Sequence, residues 1–266
     1  MKNSLVYIHP EAKIAKNVEI EPFTTIAKNV EIGEGTTIGP NVTILEGTRI
    51  GKNCKIFTGA VIGAVPQDLK FAGEETIVEI GDNTTIREYV TINRGTKSKG
   101  KTIVGNNCLL MAYVHIAHDC IIGNNVILVN CVQVAGEVIV DDWAILGGLC
   151  AVHQFVRIGK HVIVRGGSLV SKDVPPFIRV AHEPLRFSGL NSIGLRRRNF
   201  SNEQINQIQD SYRIVFQSDL NYSDAIRKIE DEFPATTEIN EIVNFFKNSS
   251  RGIIKGFNSV IEEEED

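Results

Sequence analysis

The chain has 266 residues, 42% of them hydrophobic and 23% charged, and a formal net charge of −4. Those values describe a globular protein long enough for a sizeable core and exclude a global attraction to nucleic acid or anionic lipid. No apolar stretch approaches the ~18–20 residues of a membrane span, five cysteines without paired spacing exclude a disulfide framework, and the first residues lack secretory features, which together point to the cytoplasm.

From Ile8 the chain repeats every six residues. Isoleucine stands at 8, 14, 20, 26, 32, 38, 44, 50, 56 and 62, and aliphatic residues keep that register to Val170, filling 25 of 28 places. Four residues after each aliphatic comes a small or β-branched residue, as at Val18, Thr24, Val30 and Thr36. Glycine often follows the aliphatic directly, as at Gly33, Gly51, Gly105 and Gly123, with asparagine two places later. A period of six is neither the ~3.6 of a helix nor simple alternation. It predicts short strands whose i and i+4 side chains point inward, joined by bends in which Gly or Asn takes a left-handed backbone. Three sides per coil stack every eighteenth residue at roughly the 4.8 Å strand spacing, giving a parallel β-helix. Cys54, Cys108, Cys120 and Cys150 share the small-residue column and are expected to pack as compact hydrophobes.

Residues 64–79, "AVPQDLKFAGEETIVE", and 94–102, "RGTKSKGKT", lose the pattern and are expected as extruded loops, which on a rigid repeat often carry function. Next comes "HIAHDC", residues 115–120. His118 falls outside the inward positions, in one column with Gly136 and Gln154, while Asp119 stacks on Glu137 and His115 on Gln133. As a base, His118 could take a hydroxyl proton and Asp119 could orient it. As a metal site, His115 and His118 lack a third ligand within one chain. Polar surface without chemistry is the third reading. His161, beside Lys160 on a turn, is a candidate contact for an anionic partner.

The repeat stops at "SKDVPPF", where Pro175 and Pro176 cannot join a ladder. Downstream the pattern is helical: Ser201 and Gln204 form a capping box, Ser223 is placed to cap the next helix, and Gly252 the C-terminus of the last. Glu262–Asp266 is expected to be a frayed tail. The expected organisation is a β-helix over 1–183 and a helical domain over 184–266. "LRRR", ending at Arg198, places three guanidinium forks where they suit phosphate oxygens.

The ordered set "PQDLKFAGE", "IREYVTINRGT", "HIAHDC", "AVHQF", "SKDVPPF" and "GLRRRNF" resembles the UDP-N-acetylglucosamine O-acyltransferases that begin lipid A synthesis. The likeness covers nearly the whole chain. It implies a left-handed β-helix, a cytoplasmic homotrimer with active sites between adjacent subunits, no metal and no cofactor. The implied substrates are UDP-N-acetylglucosamine and an acyl carrier protein bearing a 3-hydroxyacyl chain. By position, it makes His118 the general base for the sugar 3-hydroxyl, Asp119 its orienting group, and the Gly136 N–H the oxyanion donor. It implies that Gln67, Asp68, Lys70 and His115 hold the sugar and pyrophosphate, that Gln154, Asn191, Arg197 and Arg198 take the nucleotide, and that His153 lines the cleft. Gly166 matches the acyl-chain ruler. The chain departs from the best-known members at Glu137 and Asn93, where they carry histidine, and at Ile193, where they carry glutamate.

An acidic carrier protein needs a local basic face on a net-negative enzyme, and Arg157, Lys160, Arg165, Lys172 and Arg179 are its candidates. Another hexapeptide acyltransferase, acting on a sugar amine or using acyl-CoA, is the nearest alternative. A γ-carbonic-anhydrase-like metalloenzyme and a non-catalytic β-helix scaffold are more distant ones.

Overall fold

A computed structural model of the chain describes residues 5–256, so the tail expected at Glu262–Asp266 lies outside the described residues. From Tyr7 to Val170 the backbone is a left-handed parallel β-helix built of two- to four-residue strands, the coil that the periodicity predicted with the hand that the family resemblance implied. Together with two strands after Val170 they form, among the described residues, three sheets of nine, eight and ten strands, and within the coil each strand pairs in parallel with the third one along. Tyr7 opposes Thr25 and Ile8 opposes Ile26, the eighteen-residue stagger expected of three-sided coils. The aliphatic column fills the interior: Ile26, Ile44, Ile62, Ile92, Ile116 and Val134 all have no exposed surface. Each such side chain contributes roughly 1.5–3 kcal/mol on burial, which sets the register firmly. The four column cysteines are buried as predicted, and desolvation pushes the thiols of Cys108 and Cys120 up to about 11 and about 12.

The bends divide their requirements differently from the sequence reading. Asparagine does take the left-handed backbone, as at Asn17, Asn29, Asn41 and Asn53, with φ between 52° and 56°. The glycine directly after the aliphatic does not, except at Gly63. A Cβ at Gly33 would strike the backbone of Gly51, and one at Gly105 the backbone of Gly123. Close stacking of successive coils, not backbone conformation, selects those glycines.

Two stretches leave the prism, and both are narrower than expected. Ile62 pairs with Ile92, thirty residues on, so twelve extra residues are extruded before the strand Ile77–Ile80 rejoins the second sheet. Ile80 pairs with Val104, so six more leave before the strand Lys101–Val104. Val78, Ile80, Thr102 and Val104 keep the inward positions, which holds those flanks in the ladder. At the other end β structure continues past 183: Ile178–Ala181 and Arg186–Leu190 form an antiparallel hairpin on the third sheet.

Four helices follow: α1 (Ser192–Arg197), α2 (Asn202–Gln217), α3 (Tyr222–Glu232) and α4 (Thr237–Lys247). The capping box at Ser201 forms as predicted. The cap of α3 is Asn221 rather than Ser223, because the Asn221 side chain accepts from the Asp224 N–H at 2.9 Å. α4 ends at Asn248, and Gly252, with φ +73°, instead turns the chain into a bridge pairing Ile253 with Asp173. No helix among the described residues is long and apolar enough to cross a membrane.

Candidate active site

His118 stands on the corner between the first sheet, which it leaves after His115–Ile116, and the second, which begins again at Ile121–Ile122. Its Nδ1 lies 2.9 Å from Asp119 Oδ2. Asp119 occupies the left-handed position of the bend, with φ +59°, and its side chain has no exposed surface. Burial alone would raise its carboxyl. Hydrogen bonds from the Thr96 hydroxyl, His118 and the N–H groups of Thr96 and Lys99 outweigh burial and hold the pKa below its ordinary value. Asp119 is therefore a carboxylate that accepts the His118 Nδ1–H, which leaves Nε2 as the free acceptor.

Nε2 faces two further groups. Asp68 Oδ2, from the long extruded loop, lies 4.0 Å away. Gly136, one coil above, is so close to the imidazole that a Cβ there would lie 2.6 Å from Nε2. The Gly136 N–H has no hydrogen-bond partner among the described residues. The corner thus brings together an imidazole, a buried carboxylate and an open backbone donor, an arrangement able to move a proton and to stabilise an oxyanion. Gln67 and Lys70 are exposed beside Asp68, whose Oδ1 accepts the Lys70 N–H at 3.0 Å. His115 projects outward from the first sheet with Nδ1 2.7 Å from the Thr91 hydroxyl, and burial lowers its pKa. His153 and Gln154 are exposed two coils on, and His153 Nδ1 lies 3.3 Å from an Arg251 nitrogen.

The other expected site residues are elsewhere on the prism. Trp143, Ile145, Ile163, Asn191, Arg197 and Arg198 line a cleft of about 1060 Å³ against the third sheet. That wall lies opposite the His118 corner, with the aliphatic interior between them. Asn191 is 2% exposed, caps α1 by accepting from the Gly194 N–H, and donates to the His161 carbonyl, so its amide is engaged within the chain. Gly166 sits on a third corner, between the third and first sheets, stacked over Gly148. His161 is corrected outright. It is 8% exposed, stacked against Trp143 and Phe177 with Phe200 at its edge, and desolvation, aided by Arg198 and Lys160, lowers its pKa to about 4. A neutral, covered imidazole has no part in recognising an anion.

Of the proposed carrier-protein face, Arg157 is paired with Asp141 at 2.9 Å and Lys160 with Glu241 at 2.8 Å, and the five residues are scattered over several walls. They do not form one basic face. The departures also find places. Glu137 lies 3.9 Å from Lys99 Nζ, Asn93 is buried with its amide donating to the Val65 carbonyl, and Ile193 is 62% exposed on the cleft. Sequence reasoning missed Thr96, Lys99 and Thr102, which grip Asp119. The signal was available: Arg94 lies one coil and one six-residue insertion before His118, so the loop after it lies beside Asp119.

Among known proteins, the acyl-(acyl-carrier-protein)–UDP-N-acetylglucosamine O-acyltransferase of Chlorobaculum tepidum is 51% identical over 202 residues, which is 75% of this chain and 76% of that one. The corresponding enzyme of Myxococcus xanthus is 42% identical over 195 residues, 73% and 76% of the two chains. The chain belongs to this acyltransferase family. A profile for the second domain of UDP-N-acetylglucosamine O-acyltransferase matches residues 173–254 of the acyltransferase, and one for bacterial transferase hexapeptide repeats matches 101–136. A profile for the GMPPB C-terminal domain matches residues 3–103. The crystal structure of the UDP-N-acetylglucosamine acyltransferase of Bacteroides fragilis superposes with a TM-score of 0.93 at 57% identity, covering 96% of this chain and all of that one. That of Acinetobacter baumannii gives 0.92 at 40% identity, covering 95% and 98%.

Proposed function

We propose that the chain moves a 3-hydroxyacyl group from acyl carrier protein to the 3-hydroxyl of UDP-N-acetylglucosamine, the opening step of lipid A synthesis, with His118 as general base. Family membership supports the reaction, and the buried Asp119 carboxylate 2.9 Å from His118 Nδ1 carries the mechanism. Nε2 takes the hydroxyl proton as the sugar oxygen attacks the thioester carbonyl. The Gly136 N–H stabilises the oxyanion of the tetrahedral intermediate. Collapse releases the carrier thiolate, which recovers the proton from His118, leaving an ester and a free thiol. Neither metal nor cofactor enters this scheme.

The His118 corner and the arginine cleft lie on opposite sides of one chain, which supports a site shared between copies, most simply in a cytoplasmic homotrimer. Across that junction Arg197 and Arg198 of one copy reach the nucleotide while His118, Asp68 and Lys70 of the next hold the sugar. His118→Ala is expected to lower transfer of a labelled 3-hydroxyacyl group by roughly 10²–10⁴-fold with an unchanged trimer mass. Turnover within a few-fold of the parent would end the base assignment. Co-expressed His118→Ala and Arg198→Ala chains should regain activity in mixed trimers, and failure to do so would reject the shared site.

A further inference from the structure

We propose that the short extruded loop 94–100 sets the tautomer of His118 through a Ser98–Thr96–Asp119 relay, with Thr96 as its positioning residue. This rests on the reading of His118 as the base. Thr96 is 6% exposed, and its hydroxyl lies 2.6 Å from Asp119 Oδ2, the same oxygen that faces His118 Nδ1. The direction of the hydroxyl proton is fixed by a third group. The Ser98 N–H donates to Thr96 Oγ1 at 3.1 Å, so the hydroxyl hydrogen is directed to the carboxylate. The N–H groups of Thr96 and Lys99 occupy Oδ1, at 3.0 and 3.2 Å. With those donors in place, the bond to His118 requires a proton on Nδ1.

The loop is built to hold this arrangement. Gly95 packs directly on the backbone of Gly100 and Lys101, pinching its ends together at a distance no side chain tolerates. Its outer edge is tied to the long loop, because the Lys97 N–H donates to Glu74 at 3.1 Å. From below, the Asp119 N–H donates to Thr102 at 2.8 Å. The charged groups at this corner are Asp119, Asp68 at 4.0 Å and the Lys99–Glu137 pair, whose Lys99 Nζ lies 3.3 Å from the Asp119 carbonyl oxygen, while the Arg94 guanidinium lies over the Phe71 ring. Of these, Asp119 alone reaches Nδ1, and Thr96 is the side chain that supplies its hydroxyl donor.

Thr96→Val removes the hydroxyl at nearly constant volume, and Thr96→Ser keeps it. The carboxylate in Thr96→Val becomes more basic and holds the imidazolium more tightly. The acid limb of the kcat/KM profile should therefore move to higher pH, and the rate at neutral pH should fall roughly ten- to a hundredfold. Thr96→Ser should restore both. In a His118→Ala background the Val substitution should cost nothing further. An unchanged limb and rate in Thr96→Val, an equal defect in Thr96→Ser, or a full additional loss in the double variant would overturn the relay. An active His118→Ala would instead remove the base reading itself, so the two failures are distinguishable.

Discussion

His118 and His161 each stand on a corner of the same prism, outside the aliphatic core, and they end in opposite states. His118 faces a buried carboxylate and keeps its Nε2 open, whereas His161 is sealed between aromatic rings with its pKa lowered to about 4. The repeat places both. What separates them is the chain laid over each corner: the polar loop 94–100 over one, and Phe177, Phe200 and the end of α1 over the other. A repeat therefore specifies position, and the elements leaving it specify chemistry.

The sharpest way to break the contrast is to remove the polarity of the first corner. Asp119→Asn should lower turnover by roughly 10²–10⁴-fold, since an amide can offer its N–H to His118 and favour the wrong tautomer. Steady-state assay with unchanged thermal midpoint would check this. Gly136→Ala should come next, at roughly a hundredfold, because the new methyl displaces the imidazole without touching the core. A rate near that of the parent would mean that the ring can move aside harmlessly.

Smaller effects are expected at the second corner, and on stability rather than rate. His161→Gln should cost about 1–3 kcal/mol by losing the ring stacking and burying an amide, read by chemical denaturation. The pH dependence has a definite sign. The imidazole binds its proton near 6.5 when unfolded and near 4 when folded, so its stabilising contribution is complete above 6.5 and is lost as pH falls toward 4. His161→Phe should lose less thermal stability than the parent over that interval. Parallel melting curves for the two chains would refute the assignment.

Much of this was legible from spacing alone. The phase of Ile8 to Val170 located the interior, the coils and the outward column shared by His118, Gly136 and Gln154. The extruded segments are narrower than the spacing implies because Val78 and Thr102 continue the ladder inside stretches that look irregular. Asn221 rather than Ser223 caps α3 because both residue types can cap, and where the chain leaves α2 decides which one does. His161 was misread because the rings that cover it come from residues up to 39 positions away in sequence.

By itself, the sequence determined the period, hence the prism, and hence which residues face inward, because burying one methylene-rich column leaves no competing register. Only the tertiary structure decided the environments: which carboxylate is gripped by a loop, which histidine is sealed, and that the arginine cleft lies across the interior from His118. Those outcomes depend on contacts between segments whose separation carries no periodic signal, so geometry had to supply them.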